Sequence, residues 1–179
     1  MIMKAIVRFF RQRAISGFLK RKKQCILPDI TNYPTVAILL NEEQFKRHKE
    51  IETAMNRLFN MKRLTFVTYV NSQPQDVLQS DRHFYIKKDD FNFWGLMNDD
   101  KKESLMGLSF DMMVDFVYKS DDLLTNQYII SLINNTFRVA FGHRCTSFYD
   151  LVIDSKKDDD LLRRIEILHD YLSMLLGKR

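Results

Sequence analysis

Polar side chains that could bind an anion follow the short apolar runs that predict strands. They are Asn41, Asn71, Asp115, Gly142, His143 and Arg144. Because open α/β sheets bind ligands at the carboxyl ends of their strands, these positions form the candidate ligand site. His143 and Arg144 could bind an anionic small molecule, or serve as an acid/base and a clamp. We favour the simpler interpretation, in which Arg144 pairs with a surface carboxylate and His143 only occupies the loop.

Two further groups of residues have both a chemical and a structural interpretation. Asp111 and Asp115 are four residues apart and share one face of a predicted strand, as a carboxylate pair for acid/base or metal chemistry would. A capping or turn role for Asp111 is the alternative. Phe91, Phe93 and Trp94 could form an aromatic contact patch, but packing over the sheet is the favoured interpretation.

The chain carries no motif for a cofactor or a metal. The patterns GxGxxG, GxxxxGK[ST], GxSxG and HExxH are absent, and the five glycines are too scattered to build a phosphate loop. The four histidines lack ligand spacing. We therefore predict no cofactor and no metal. The two cysteines cannot form a disulfide framework, which favours a reducing, cytoplasmic location.

The positive charge is concentrated at the amino terminus. Residues 1–23 hold eight of the 28 Lys and Arg residues and no acid, so the net charge of +5 leaves 5 − 8 = −3 for residues 24–179. A mildly acidic body is a poor partner for phosphates, and nucleic-acid binding is therefore disfavoured. Any affinity for an anionic surface must come from the first 23 residues.

These residues have the apolar spacing of an amphipathic helix. The candidate interaction residues on it are Arg8, Phe10, Arg11, Phe18 and Lys20. Docking on the parent domain or on a second copy is the favoured interpretation, and an interfacial helix peripheral to the inner face of an anionic membrane comes next. A signal peptide is disfavoured, because arginines interrupt any apolar region. Since the other predicted helices could cover both faces of the sheet, we expect this helix to project from the body and to bury its apolar side chains against something other than its own sheet.

The rest of the chain alternates strands and helices. Strands are predicted at 35–40, 64–70, 83–87, 110–117, 137–141 and 150–153. Helices are predicted at 42–59, 99–106, 122–134 and 158–176, the first opened by a capping box of Asn41 and Gln44. This order predicts a three-layer, Rossmann-like α/β domain over 25–179, with a mainly parallel sheet, after a helix over 1–24. Eight residues, 142–149, are too few for an ordinary parallel crossover, so we expect the sixth strand to pair antiparallel or to lie at an irregular edge.

Three segments resemble an uncharacterised bacterial family of small α/β proteins with a basic amino-terminal segment and an "FDLLIDL…FRVG" core. They are KDDFNFWG at 88–95, FDMMVD at 110–115 and FRVAFG at 137–142. The resemblance implies the α/β fold and no particular activity. The last two segments also faintly resemble the "DLVIDL…RIGF" part of heptosyltransferase-like enzymes, which implies a similar fold. Those enzymes carry their donor-binding residues in a second domain that 179 residues do not hold.

Two classes of function follow from the sequence. The first is a non-catalytic interaction module whose amino-terminal helix binds a second copy, a protein partner or an anionic membrane surface. The second is a small enzyme or sensor that binds phosphate, a nucleotide or a sugar nucleotide at the carboxyl edge of the sheet. The first is our leading hypothesis.

Overall fold

The computed structural model describes residues 2–21, 27–28, 34–70, 82–117, 123–142, 147–154 and 160–177. The strands are β1 (Thr35–Asn41), β2 (Arg63–Val70), β3 (His83–Lys87), β4 (Ser109–Asp115), β5 (Asn134–Phe141) and β6 (Leu151–Ile153). The helices are α1 (Ile2–Arg21), α2 (Glu42–Phe45), α3 (His48–Leu58), α4 (Asp99–Met106), α5 (Leu123–Leu132) and α6 (Leu161–Gly177). A short 3-10 turn, Lys88–Asp90, follows β3.

The six strands form one sheet in the order β3-β2-β1-β4-β5-β6, and every pair in it is parallel. The central strands are buried on both faces, which is why β1 is an uninterrupted apolar run from Val36 to Leu40. The predicted three-layer α/β fold and the parallel neighbours β2, β1, β4 and β5 are confirmed.

Helices cover both faces of this sheet. The core on one face joins the sheet to α3 and α6, whereas the core on the other face joins it to α1, α4 and α5. The helix predicted over 42–59 is broken, because Arg47 leaves the helical conformation between α2 and α3. The guanidinium of Arg47 donates hydrogen bonds to Glu50 and to Asp160 at the start of α6. The break thus accompanies the packing of α3 against α6.

The expectation that α1 projects from the body is wrong. Ile15 is buried in the core with α5, and Ala14, Phe18 and Leu19 pack beside it. The reason is that α3 and α6 share one face of the sheet, so α5 and the short α4 leave part of the opposite face for α1. The number of helices could be inferred from the sequence, but their distribution between the two faces could not.

The expectation that β6 pairs antiparallel is also wrong, although β6 does lie at the edge. It pairs parallel with Val139, Ala140 and Phe141 at the end of β5. Because β6 pairs with only these three residues, the chain has to return only about 10 Å along β5, at roughly 3.3 Å per residue, and not the length of the whole strand. The eight residues 142–149 are long enough to cover that distance.

Candidate functional site

The strand order places the point where the chain reverses its winding between β1 and β4. The chain continues from β1 to β2 on one side and from β4 to β5 on the other. In open α/β sheets, the crevice at the carboxyl ends of two such strands is the usual ligand position. Asn41, Asp115 and Gly142, at the ends of β1, β4 and β5, lie along this edge. Asn71, His143 and Arg144 lie outside the described residues.

Asn41 caps the helix that follows it. Its side-chain oxygen accepts a hydrogen bond from the backbone N–H of Gln44 at 2.9 Å, and Gln44 accepts one from the backbone N–H of Asn41 at 3.0 Å. The amide of Gln44 then donates to the carbonyl oxygen of Phe116, beyond β4, at 2.9 Å. The predicted capping box is therefore present, and it also closes the gap between β1 and β4.

Asp115 is fully buried at the end of β4 and ties three segments together. Its carboxylate accepts hydrogen bonds from the hydroxyl of Tyr149 at 2.7 Å, the backbone N–H of Val117 at 2.9 Å and the amide of Asn126 at 3.3 Å. A buried carboxylate needs such donors, because an unpaired charge away from water is costly. Asp111 lies near the other end of the strand, exposed, and accepts hydrogen bonds from Thr35. The two aspartates thus serve separate contacts and form no carboxylate pair.

Arg164 also reaches this edge, from α6. It is buried, and its guanidinium donates a hydrogen bond to the carbonyl oxygen of Phe116 at 3.4 Å. The sequence did contain a signal for it, because Arg164 falls between Leu161 and Leu168 on the apolar face of the helix. A charged residue in such a stripe indicates a buried polar contact. Tyr149 carries no comparable local signal.

Gly142 ends β5 with a backbone conformation that favours glycine. Its φ of 84° lies in the left-handed region, and its N–H donates to the carbonyl oxygen of Ile153 at 2.9 Å. This hydrogen bond extends the pairing of β5 with β6. Two surface grooves lie elsewhere, one between α1, α4 and α5 and one between α3 and α6, and neither is lined by Asn41, Asp115 or Gly142. Anion binding at the carboxyl edge stays a prediction.

A second group of ionisable side chains lies beside β3. The rings of His83 and His48 are 5.4 Å apart. Burial lowers the pKa of His83, the charges of His48 and Arg82 act in the same direction, and Glu52 opposes them. Burial also raises the pKa of Tyr85 to about 12. Among the described residues, no group of three or more His, Cys, Asp or Glu side chains could hold a metal ion.

Two of the predicted interaction residues of α1 point toward the body. Arg11 donates hydrogen bonds to the carbonyl oxygen of Gly95 at 2.7 Å and to the hydroxyl of Thr125, and burial lowers its pKa. The ring of Phe18 lies 5.2 Å from the guanidinium of Arg138, a buried residue of β5. Arg11 and Phe18 therefore hold α1 on the domain.

The exposed part of α1 mixes cations with apolar side chains. The exposed cations of α1 are Lys4, Arg8, Arg13 and Lys20, which we call the basic residues; helical spacing places Lys4 and Arg8 on one side of α1, and Arg13 and Lys20 on the other side with Phe9. Phe9, Phe10, Trp94 and Phe93 form a continuous series of ring contacts with centroids 5.2 to 5.5 Å apart, which we call the aromatic patch. Phe9, Phe93 and Trp94 are 57%, 65% and 47% exposed, whereas Phe10 is half-buried. The interaction role of Arg8, Phe10 and Lys20 stays a prediction.

The helices of the described residues include none with the length and apolar character that a membrane crossing requires. Neither the curated proteins nor the solved structures contain a match to this chain, so the faint heptosyltransferase resemblance is not supported. A family model described as a family of unknown function, DUF6913, matches residues 8–175. That range includes most of α1 and all six strands. The chain belongs to DUF6913, a family of unknown function, as its resemblance to an uncharacterised family predicted.

Proposed function

We propose that this protein is a non-catalytic interaction module that docks on an anionic membrane surface through the basic residues of α1 and the aromatic patch. The observation that carries the proposal is the exposure of three neighbouring aromatic rings beside a helix that has cations and no acid. Exposed apolar patches of this kind mark interaction surfaces in soluble proteins.

The chemistry of the surface fits an interfacial helix. Aromatic rings insert at the boundary between lipid headgroups and acyl chains, and neighbouring Lys and Arg side chains attract anionic headgroups. Each such cation contributes about 1 kcal/mol near an anionic surface, so each pair of basic residues supplies about 2 kcal/mol when its side of α1 lies against the membrane. Asp99 and Asp100, exposed at the start of α4, oppose this attraction, and we assign it to the cations of α1.

A second copy of the chain fits this surface less well. A two-fold symmetric dimer places the same patch of both subunits face to face. Because α1 carries no acid, such a contact would bring cations against cations. An anionic bilayer offers the opposite charge over the whole face.

The proposal is tested by sedimentation of the full chain with two kinds of vesicle at about 0.1 M salt, where charges are screened over roughly 10 Å. One kind contains phosphatidylcholine alone, and the other contains equal parts of phosphatidylcholine and phosphatidylglycerol. We expect binding to the anionic vesicles only, weakening as salt rises, with a blue shift in the fluorescence of Trp94, the only tryptophan.

Charge reversal distinguishes an effect of the basic residues of α1 from an effect of the net charge of the chain. Lys4→Glu with Arg8→Glu should weaken binding about 30-fold or more, since two cations contribute about 2 kcal/mol. The matched control, Lys49→Glu with Lys62→Glu, makes the same change at exposed positions of α3 and before β2 and should retain binding. Equal loss in both double variants, or equal binding to both kinds of vesicle, would contradict the proposal. A dimer that the first variant dissociates would favour self-association instead.

A further inference from the structure

A groove of about 630 Å³ lies along the side of α1 that faces α4 and α5. Its walls are mainly apolar and include Phe10, Phe18, Leu96, Met106 and Leu132. The volume is within the range of roughly 300 to 1,000 Å³ that small-molecule sites occupy. The groove is therefore large enough for a ligand of the size of a lipid chain.

The charged side chains that line the groove are both cations. Arg13 is exposed on α1, and Lys102 is half-buried on α4. Ser131 also lines the groove, and its hydroxyl donates a hydrogen bond to the carbonyl oxygen of Tyr128 at 2.7 Å. A ligand with many polar groups along its length would leave them without partners against such side chains, whereas an alkyl chain needs none.

Gly17 keeps part of the groove open. It stands inside α1, where glycine lowers helix stability relative to alanine. A Cβ atom added to Gly17 would meet nothing within 4 Å, so a side chain at this position would extend into free space along the groove. The position therefore offers a way to fill the groove without disturbing the core.

We propose that this groove binds a single-chain anionic amphiphile, a fatty acid, with its alkyl chain along the apolar wall and its carboxylate beside Arg13 and Lys102. Apolar walls with a few polar groups that orient the ligand are typical of small-molecule sites. Phe10 and Arg13 belong to both surfaces, but Lys4 and Arg8, whose charges the docking test reverses, do not line the groove, so the two proposals can be tested separately.

The test is a titration of the full chain with dodecanoate below the concentration at which it forms micelles, without vesicles. Calorimetry gives the affinity and stoichiometry, and the fluorescence of Trp94 reports occupancy, because its ring contacts the groove residue Phe10 at 5.2 Å. We expect saturable binding of one dodecanoate per chain. Dodecyltrimethylammonium, which has the same chain and the opposite charge, should bind on the order of tenfold more weakly or worse.

Substitutions then locate the site. Gly17→Leu should weaken dodecanoate binding by on the order of tenfold or more, because the new side chain occupies the groove. The matched control is Gly177→Leu at the end of α6, where an added Cβ atom also meets nothing within 4 Å, and it should leave the affinity unchanged. Lys102→Glu, which reverses the charge of the groove residue on α4, should also weaken dodecanoate binding. It provides the test if Gly17→Leu does not fold.

Circular dichroism and melting without ligand establish that each variant is folded. Unchanged affinity in folded Gly17→Leu or in Lys102→Glu, equal affinity for dodecyltrimethylammonium, or binding without saturation would each overturn the proposal. The variant Lys4→Glu with Arg8→Glu should bind dodecanoate like the original chain. A variant that loses vesicle binding and retains dodecanoate binding affects membrane docking alone. A variant that loses dodecanoate binding and retains vesicle binding affects the groove alone.

Discussion

Replacing Gly95 with alanine should loosen α1 from the body of the domain. Gly95 lies in the turn between β3 and α4 with a φ of 72°, and a Cβ atom at this position would lie 2.3 Å from Cγ1 of Val7 on α1. The carbonyl oxygen of Gly95 also accepts the hydrogen bond from Arg11. The turn and the helix therefore approach each other as closely as a glycine allows.

Two terms make up the expected loss of stability in Gly95→Ala. The left-handed backbone conformation costs a residue with a Cβ atom about 1–2 kcal/mol. Forcing a methyl group into an occupied space costs about 1–3 kcal/mol more. The free energy of unfolding should therefore fall by about 2–5 kcal/mol in total.

A double-mutant cycle with Val7→Ala separates the two terms. Val7→Ala removes Cγ1 and Cγ2 and leaves the Cβ atom, which is 3.1 Å from the added methyl group and needs to yield only slightly. In that background Gly95→Ala should cost about 1–2 kcal/mol, the backbone term alone. Urea unfolding followed by Trp94 fluorescence and by circular dichroism measures all four chains. A coupling below about 0.5 kcal/mol would refute the packing of α1 on this turn.

Three further perturbations test the polar contacts of the body. Tyr149→Phe should lower the free energy of unfolding in urea by about 1.5–3 kcal/mol, because the hydroxyl of Tyr149 donates to a buried carboxylate at 2.7 Å. Tyr85→Phe should leave it unchanged, because the buried hydroxyl of Tyr85 has no hydrogen-bond partner among the described residues. Equal losses in the two variants would contradict this. Asp150→Ala should lower the free energy of unfolding by about 3–5 kcal/mol, because it leaves the buried guanidinium of Arg138 without its carboxylate. Adding Arg138→Met to that variant should recover part of the loss, and no recovery would contradict the explanation. Burial lowers the pKa of His83 from 6.5, so below that pH the folded chain binds fewer protons than the unfolded chain. The free energy of unfolding should therefore fall as the pH drops below about 6.5. If the same dependence of stability on pH persists in His83→Gln, other groups cause it.

Local signals in the sequence predicted most of the elements. The apolar run of β1 is buried on both faces because neighbouring strands and helices surround it, and such a run is itself typical of a central parallel strand. The cap formed by Asn41 and Gln44 depends on side chains three residues apart, so it could be predicted without the rest of the chain. The alternation of strands and helices was sufficient for the fold class.

The candidate site was predicted only in part. Asn41, Asp115 and Gly142 lie at the carboxyl edge as expected, because every strand of a parallel sheet ends there. The partners of Asp115 could not be predicted, since Tyr149 is 34 residues away along the chain and reaches the carboxylate only once β6 has returned beside β5. The same bond turns a candidate functional carboxylate into a contact that joins segments of the fold.

The sequence by itself determined the parallel α/β architecture, the helix cap and the concentration of positive charge in α1, because propensity, periodicity and charge act over a few residues. Only the tertiary structure decided which face of the sheet each helix covers, that α1 docks through Ile15 and Arg11, and that a groove with two cations lies beside Gly17. Those outcomes depend on which surfaces remain uncovered once all the elements have packed. That competition involves residues far apart in the chain, and no short pattern contains it.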